Sequence, residues 1–285
     1  MLRALILALL LPTAAIAAPE TVTFKSADGA TTIVGYLFRP AGGGPHPAIV
    51  MLHGRAGPYS SLDNATCTLV GPGVASPCNA NTLSKRHVMW GEFWAQRGYL
   101  ALLPDSFGPR GKAHGFGRFT HNDPDRDSVN ELTVRPLDAE GALTYLRSRG
   151  DVVGAHVFLQ GWSNGGSTTL NTMIRQANGP GFRAALAFYP GCGREALLED
   201  KVHTPMPILL QMGDADEEVN PEYCDHFAQR SRAAGTRMES IFYPGASHDF
   251  DDPGEKRQEN PANAAAKAAA MAKAAAMIDN YARQP

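Results

Sequence analysis

The stretch Gly161-Trp162-Ser163-Asn164-Gly165-Gly166 constrains this chain more than any other. A short, apolar, β-prone run at residues 156–160 leads into it, and residues 167–176 read as a helix. A glycine-flanked serine between a strand and a helix marks a sharp, strained corner that exposes the hydroxyl. Gly161 and Gly165 have no Cβ, so strand and helix can approach closely on either side of Ser163. The start of the helix points its free N–H groups and positive dipole end at the serine oxygen and at whatever that oxygen attacks.

The rest of the chain alternates in the same way. Residues 21–26 and 32–39 read as a hairpin around Asp28-Gly29. Residues 48–52 are a continuous apolar run, as expected of a strand buried on both faces. A helical pattern over 89–97 puts Trp90, Phe93 and Trp94 on one side, and 99–103 is the next buried strand. A helix over 137–147 precedes the Ser163 corner. Further strands are expected at 184–189, 207–212 and 238–243, with helices at 221–233 and 261–282, each opened by a proline. Alternation of this kind predicts an α/β fold with a mostly parallel central sheet and helices on both faces. No internal repeat or second core is visible, so residues 18–285 are expected to form a single domain.

Residues 1–17 stand apart as a signal peptide. Arg3 supplies a positive start, residues 4–11 an apolar segment, and Ala15-Ile16-Ala17 a small-residue cleavage site. The apolar run is too short to span a bilayer, so no stable membrane insertion is expected after cleavage. The mature protein is then secreted or periplasmic, where the four cysteines can form two disulfides. Three pairings are possible. Cys67 with Cys78 and Cys192 with Cys224 are favoured because each pair is near in sequence and flanked by loop residues. No pair has the C-x-x-C spacing of a metal site. A net charge of −2 offers nothing to attract nucleic acid or an anionic surface.

A serine hydroxyl becomes a good nucleophile only when a base takes its proton and a third group orients that base. With this kind of corner the acid and then the histidine follow the serine along the chain. The strand over 207–212 runs into Gly213-Asp214-Ala215-Asp216-Glu217-Glu218. Asp216 is the preferred acid because it lies deep enough in the loop to turn back; Asp214 is the runner-up, and Glu217 and Glu218 are expected to face solvent. His248 follows the last strand and is the expected base; His53 lies near the site but precedes Ser163. An oxyanion hole needs two donors. The N–H of Asn164 is one. The other is expected from His53-Gly54-Arg55-Ala56-Gly57, with the Arg55 N–H first and Ala56 second. Long irregular segments at 54–81 and 104–136 follow strand ends where doubly wound sheets bind ligands. Their charges are of both signs: Arg110, Lys112, Arg118 and Arg126 against Asp105, Asp123, Asp125 and Asp127. They predict no strong preference for a charged acyl group.

Taken together, these motifs resemble the dienelactone hydrolase family of the α/β-hydrolase superfamily. The resemblance rests on the His53-Gly54 loop, on Gly98-Tyr99 leading to the run from Asp105 to Gly111, on the Ser163 hexapeptide, on the Gly213 to Asp216 turn, and on Tyr243-Pro244-Gly245-Ala246 before His248. It implies an α/β-hydrolase fold, a Ser or Cys nucleophile with Asp and His, and no metal or organic cofactor. Lactone-cleaving members carry cysteine where this chain has Ser163, which favours ordinary ester hydrolysis. The expected activity is that of an exported serine carboxylic-ester hydrolase acting on a small-molecule ester or lactone through an acyl-enzyme. Alternatives are a lactone hydrolase, a prolyl-oligopeptidase-like exopeptidase, for which 285 residues leave no room for a propeller, and a non-catalytic exported binding protein on the same scaffold.

Overall fold

The computed structural model describes residues 18–117, 124–179 and 181–285. The expected signal peptide at 1–17 lies outside the described residues, as do Arg118 and Asp123. Eight strands form one sheet in the order β1-β2-β4-β3-β5-β6-β7-β8. They are β1 (Glu20–Lys25), β2 (Thr32–Phe38), β3 (His46–Leu52), β4 (Leu100–Asp105), β5 (Val152–Trp162), β6 (Ala185–Phe188), β7 (Ile208–Gly213) and β8 (Met238–Tyr243). β2 runs antiparallel to both β1 and β4, and every other pairing is parallel.

The central strands are apolar on both faces because both faces are covered. Ile49 and Met51 of β3 join one core, under α1 (Lys85–Gln96) and α6 (Pro261–Ala282). Ala48, Val50 and Leu52, one residue out of phase, join the other core. That second core lies under α2 (Arg135–Arg147), α3 (Asn164–Arg175) and α4 (Pro221–Ala233). The period-2 alternation of side chains thus becomes a three-layer sandwich. Trp90, Trp94 and Trp162 are fully buried in the first layer, with the Trp90 ring centroid 5.9 Å from that of Trp162.

The bounds of α4, β8 and α6 coincide with those expected, and the two helices have a clear signal at their starts. Asn220 and Asn260 accept the N–H groups of Glu222 and Ala262, and Pro221 and Pro261 open the first turns. α3 begins at Asn164, three residues before the expected start, because Gly165 and Gly166 are helical despite their low propensity. A short helix, α5 (Glu255–Gln258), was not anticipated.

Three of the charges expected on the rim, Asp105, Arg110 and Arg126, are turned into the protein instead. Asp105 is fully buried at the end of β4, where it accepts the Tyr59 hydroxyl and the N–H groups of Phe107 and Gly108 at 2.7–2.9 Å. Arg110 makes a forked pair with buried Asp138 at 2.8 and 2.9 Å. Arg126 is paired with Glu131, both almost wholly buried. These charges lock the long segments to the scaffold, as buried charges must be paired.

The cysteines pair as expected, Cys67 with Cys78 and Cys192 with Cys224. Cys67 and Cys78 are buried in the first core. The other bridge ties the loop after β6 to α4 across 32 residues. Replacing Cys192 and Cys224 together with alanine should lower stability by about 3–4 kcal/mol on the chain-entropy account. Calorimetry should register a fall in Tm of roughly 10 °C for a chain of this size.

Candidate active site

Ser163 sits between β5 and α3 with φ 52° and ψ −118°, a conformation that persists only where its surroundings enforce it. The enforcement is visible. Its N–H donates to Phe188 O on β6 at 2.9 Å. A Cβ at Gly161 would lie 2.1 Å from Gly165 O, and one at Gly165 would lie 2.1 Å from Leu52 O. Both glycines are therefore required by contact with neighbouring backbone.

The loops after β7 and β8 bring two more expected residues to the serine. His248 Nε2 is 3.0 Å from Ser163 Oγ, and its Nδ1 is 2.8 Å from Asp216 Oδ2. The Asp216 carboxylate is fully buried, and its other oxygen accepts the N–H groups of Glu218 and Val219 at 2.8 and 2.9 Å. Asp214 is not part of this chain; it accepts the Gly245 N–H on an exposed turn. Burial by itself pushes the His248 pKa down, but the hydrogen bond to Asp216 and the carboxylates of Asp249, Asp216 and Glu218 outweigh it and set the pKa above the ordinary histidine value. An imidazole so held can take the hydroxyl proton, and its charged form is stabilised where it stands.

His53 is excluded from that role. It is fully buried, its Nδ1 is bonded to Gly54 O at 2.8 Å and its Nε2 accepts the Ser106 N–H at 3.2 Å. Burial drives its pKa well below the usual value.

The expectation that Glu217 and Glu218 face solvent holds for Glu217, which keeps 43% of its side chain exposed, and fails for Glu218. Glu217 accepts the His248 backbone N–H at 2.9 Å. Glu218 has only 8% of its side chain exposed, pairs with the Arg55 guanidinium at 3.2 Å and comes within 3.9 Å of His248 Nε2. The short loop between β7 and α4 points Glu218 inward.

The two expected oxyanion donors lie on segments that meet at the serine. Gly54 faces the corner, since a Cβ there would stand 3.7 Å from Ser163 Cβ. Asn164 is the first residue of α3. Arg135, fully buried, joins the two segments: its Nη2 donates to His53 O at 2.6 Å and its Nη1 donates to Asn164 Oδ1. Burial lowers its pKa to about 10, opposed by the carboxylates of Asp138 and Glu131. Sequence reasoning missed Arg135. One signal was present: a cation in the first turn of a helix faces the positive end of the dipole, and so asks for another reason to be there.

A second missed residue lies three positions after His248. Asp251 is fully buried. Its Oδ2 accepts the indole N–H groups of Trp90 at 2.7 Å and Trp162 at 2.9 Å, and its Oδ1 accepts the Tyr189 hydroxyl. Trp162 adjoins Ser163, and the Tyr189 ring packs edge-on against His248 with centroids 4.7 Å apart. Arg86 balances the charge, 3.5 Å from Asp251 and 2.9 Å from Asp249.

Ser163 opens onto a cleft of about 50 Å³. It shares Gly191, Ala196, Glu218 and Val219 with a pocket of about 620 Å³ that runs along α4 past Cys192 and Tyr223. The bridge that reaches the pocket is therefore Cys192–Cys224, whereas Cys67–Cys78 sits in the core. Among the described residues, Glu218, His248 and Asp249 could bring one ligand atom each to a metal ion. Both ring nitrogens of His248 already have partners, so an ion held at Nε2 would displace Ser163.

Removing the Asp251 carboxylate strands two buried indole donors and a buried hydroxyl. Asp251→Ala should cost about 3–5 kcal/mol in urea unfolding. Asp251→Asn should cost less, because its amide oxygen can still accept both indoles.

Comparisons with known proteins add the following. A sequence model of the dienelactone hydrolase family matches residues 84–282. A Methylorubrum extorquens protein, named by inference as a carboxymethylenebutenolidase, is 22% identical over 231 residues, covering 76% of this chain and 68% of its own. A dienelactone hydrolase-like promiscuous phosphotriesterase from metagenomic libraries superposes with a TM-score of 0.66 at 20% identity, over 92% of this chain and 96% of that one. A thermophilic esterase of Thermogutta terrifontis gives 0.61 at 20% identity, over 91% and 92%.

Proposed function

The chain belongs to the dienelactone hydrolase family, and on that premise we propose that it is an exported serine hydrolase that cleaves carboxylic esters through an acyl-enzyme. The observation that carries the reading is the hydrogen-bonded chain from Ser163 through His248 to Asp216, with all three residues in the order and positions that such chemistry requires. Ser163 Oγ bonds to the carbonyl carbon as its proton passes to His248 Nε2. Asp216 holds the imidazole in the right tautomer and stabilises the imidazolium. The N–H groups of Arg55 and Asn164 receive the oxyanion. Collapse expels the alcohol, which takes the proton from His248. Water then repeats the sequence to release the acid.

Ser163, in place of the cysteine of lactone-cleaving members, supports ester over lactone. Export is supported by the two disulfides, which fit an oxidising compartment. No helix among the described residues is long and apolar enough to cross a membrane. The proposed organisation is a cleaved leader at 1–17 and one hydrolase domain over 18–285.

Ser163→Ala should reduce kcat for a nitrophenyl ester by about 10⁴-fold or more while the protein stays folded. Retention of a tenth of the activity would sink the assignment. Asp216→Asn should be crippling and Asp214→Asn mild; the reverse would move the acid by two residues. The base must be neutral to act, so kcat/KM should fall with decreasing pH through the His248 pKa. That pKa is raised, so the acid limb should lie above 6.5 in a pH–rate profile of the free enzyme.

A further inference from the structure

The two connected spaces at Ser163 differ in size and in lining. The cleft at the hydroxyl holds about 50 Å³. At about 30 Å³ of liquid per water molecule, this is room for a group of about two heavy atoms. Part of its wall is formed by Arg126 and Glu131, which are 4% and 1% exposed and joined as an ion pair, with Arg126 also donating to Glu195 O at 2.8 Å. A long alkyl chain pushed that way would have to disrupt a buried pair whose partners cannot be resolvated. The neighbouring pocket of about 620 Å³ lies in the size range of ordinary ligand sites.

The chemistry of ester cleavage decides which part of a substrate enters which space. The leaving oxygen takes its proton from His248 Nε2, so the alcohol departs on the histidine's side of the serine. Ser163, Asn164 and Arg55, which hold the acyl carbon and its oxyanion in the proposed mechanism, line the small cleft and not the large pocket, whereas Glu218, 3.9 Å from Nε2, lines both. The acyl group therefore stays in the small cleft, and the alcohol leads past Glu218 into the large pocket. On the pocket wall, Tyr223 keeps 55% of its surface open, while its ring rests so close to Gly193 that a Cβ there would meet it at 3.0 Å. An aromatic ring held in place and open to a pocket is a platform for another ring.

We propose that the substrates are short-acyl esters of bulky, ring-bearing alcohols, the acyl group seated against Arg126–Glu131 and the alcohol ring on Tyr223. This deepens the ester-hydrolase reading and rests on it.

Two ester series test it, each varying one side. With nitrophenol as the fixed alcohol, kcat/KM should fall about 100-fold from acetate to octanoate. With acetate as the fixed acid, benzyl acetate, whose alcohol matches ethanol as a leaving group, and a peracetylated methyl glucoside separate an aryl from a sugar ring, and at least one should exceed ethyl acetate about tenfold in kcat/KM. Tyr223→Ala should raise KM for the preferred ring ester about fivefold, change KM for ethyl acetate less than about twofold, and leave Tm in place. Octanoate cleaved as fast as acetate overturns the acyl assignment. Equal effects of Tyr223→Ala on ring and ethyl esters, or no gain from a ring, overturn the alcohol assignment. Fluorophosphonate labelling of Ser163 separates the two levels: a labelled enzyme with the opposite preferences refutes only this proposal, and an unlabelled one that cleaves no ester refutes the hydrolase reading with it.

Discussion

One buried carboxylate holds the site together. Asp251 receives hydrogen bonds from α1 through Trp90, from the end of β5 through Trp162, and from the end of β6 through Tyr189. It belongs to the loop that carries His248. Two of the three donors flank the proposed chemistry, since Trp162 adjoins Ser163 and Tyr189 packs on His248. The backbones bearing Ser163 and His248 come from strands three places apart in the sheet, and strand pairing alone does not set a side-chain distance to a fraction of an ångström. A satisfied polar network in a low-dielectric interior can do so, because each displaced donor would lose its partner with no water to replace it.

The same logic governs the oxyanion side. A strained serine and two close backbone approaches are tolerated because the sheet over-determines them. Ser163 N–H is fixed to β6, Gly161 faces α3, and Gly165 faces the end of β3. Arg135 then closes the ring by bonding the β3 loop to the first residue of α3. Ser163, the loop after β3 and the start of α3 are thereby fixed to one another, the condition that the proposed oxyanion hole needs for electrostatic stabilisation without reorganisation.

What could be read from sequence was what local chemistry specifies. The caps and prolines of α4 and α6 placed their starts, the apolar runs placed the strands, and the order of Ser163, Asp216 and His248 followed from the corner at 163. Asp216 was separable from Asp214 because loop depth is a short-range property. What escaped were residues whose partners lie far away in the chain. Arg135 bonds across 82 residues to His53, Asp251 bonds across 161 to Trp90, and Arg55 bonds across 163 to Glu218. Glu218 in particular sits among four acids in a polar loop, where composition predicts solvent. Only the folding of the β3 loop over it supplies the cation that lets it turn inward.

That pairing bears on how the proposed base works. Three carboxylates raise the His248 pKa, those of Asp216, Asp249 and Glu218. Each of them favours the imidazolium, and a protonated imidazole cannot accept the serine proton. Two of the three are answered by cations. Arg86 holds Asp249, whose own pKa it pulls down against the effect of burial, and Arg55 holds Glu218. Among the described residues Asp216 has no cation beside it and is bound instead by two N–H donors and the imidazole itself. Its charge is therefore directed at Nδ1, where it favours the imidazolium that forms as the proton leaves Ser163. Arg55 thus has two roles in one residue: its backbone is an expected oxyanion donor, and its side chain restrains the field on the base.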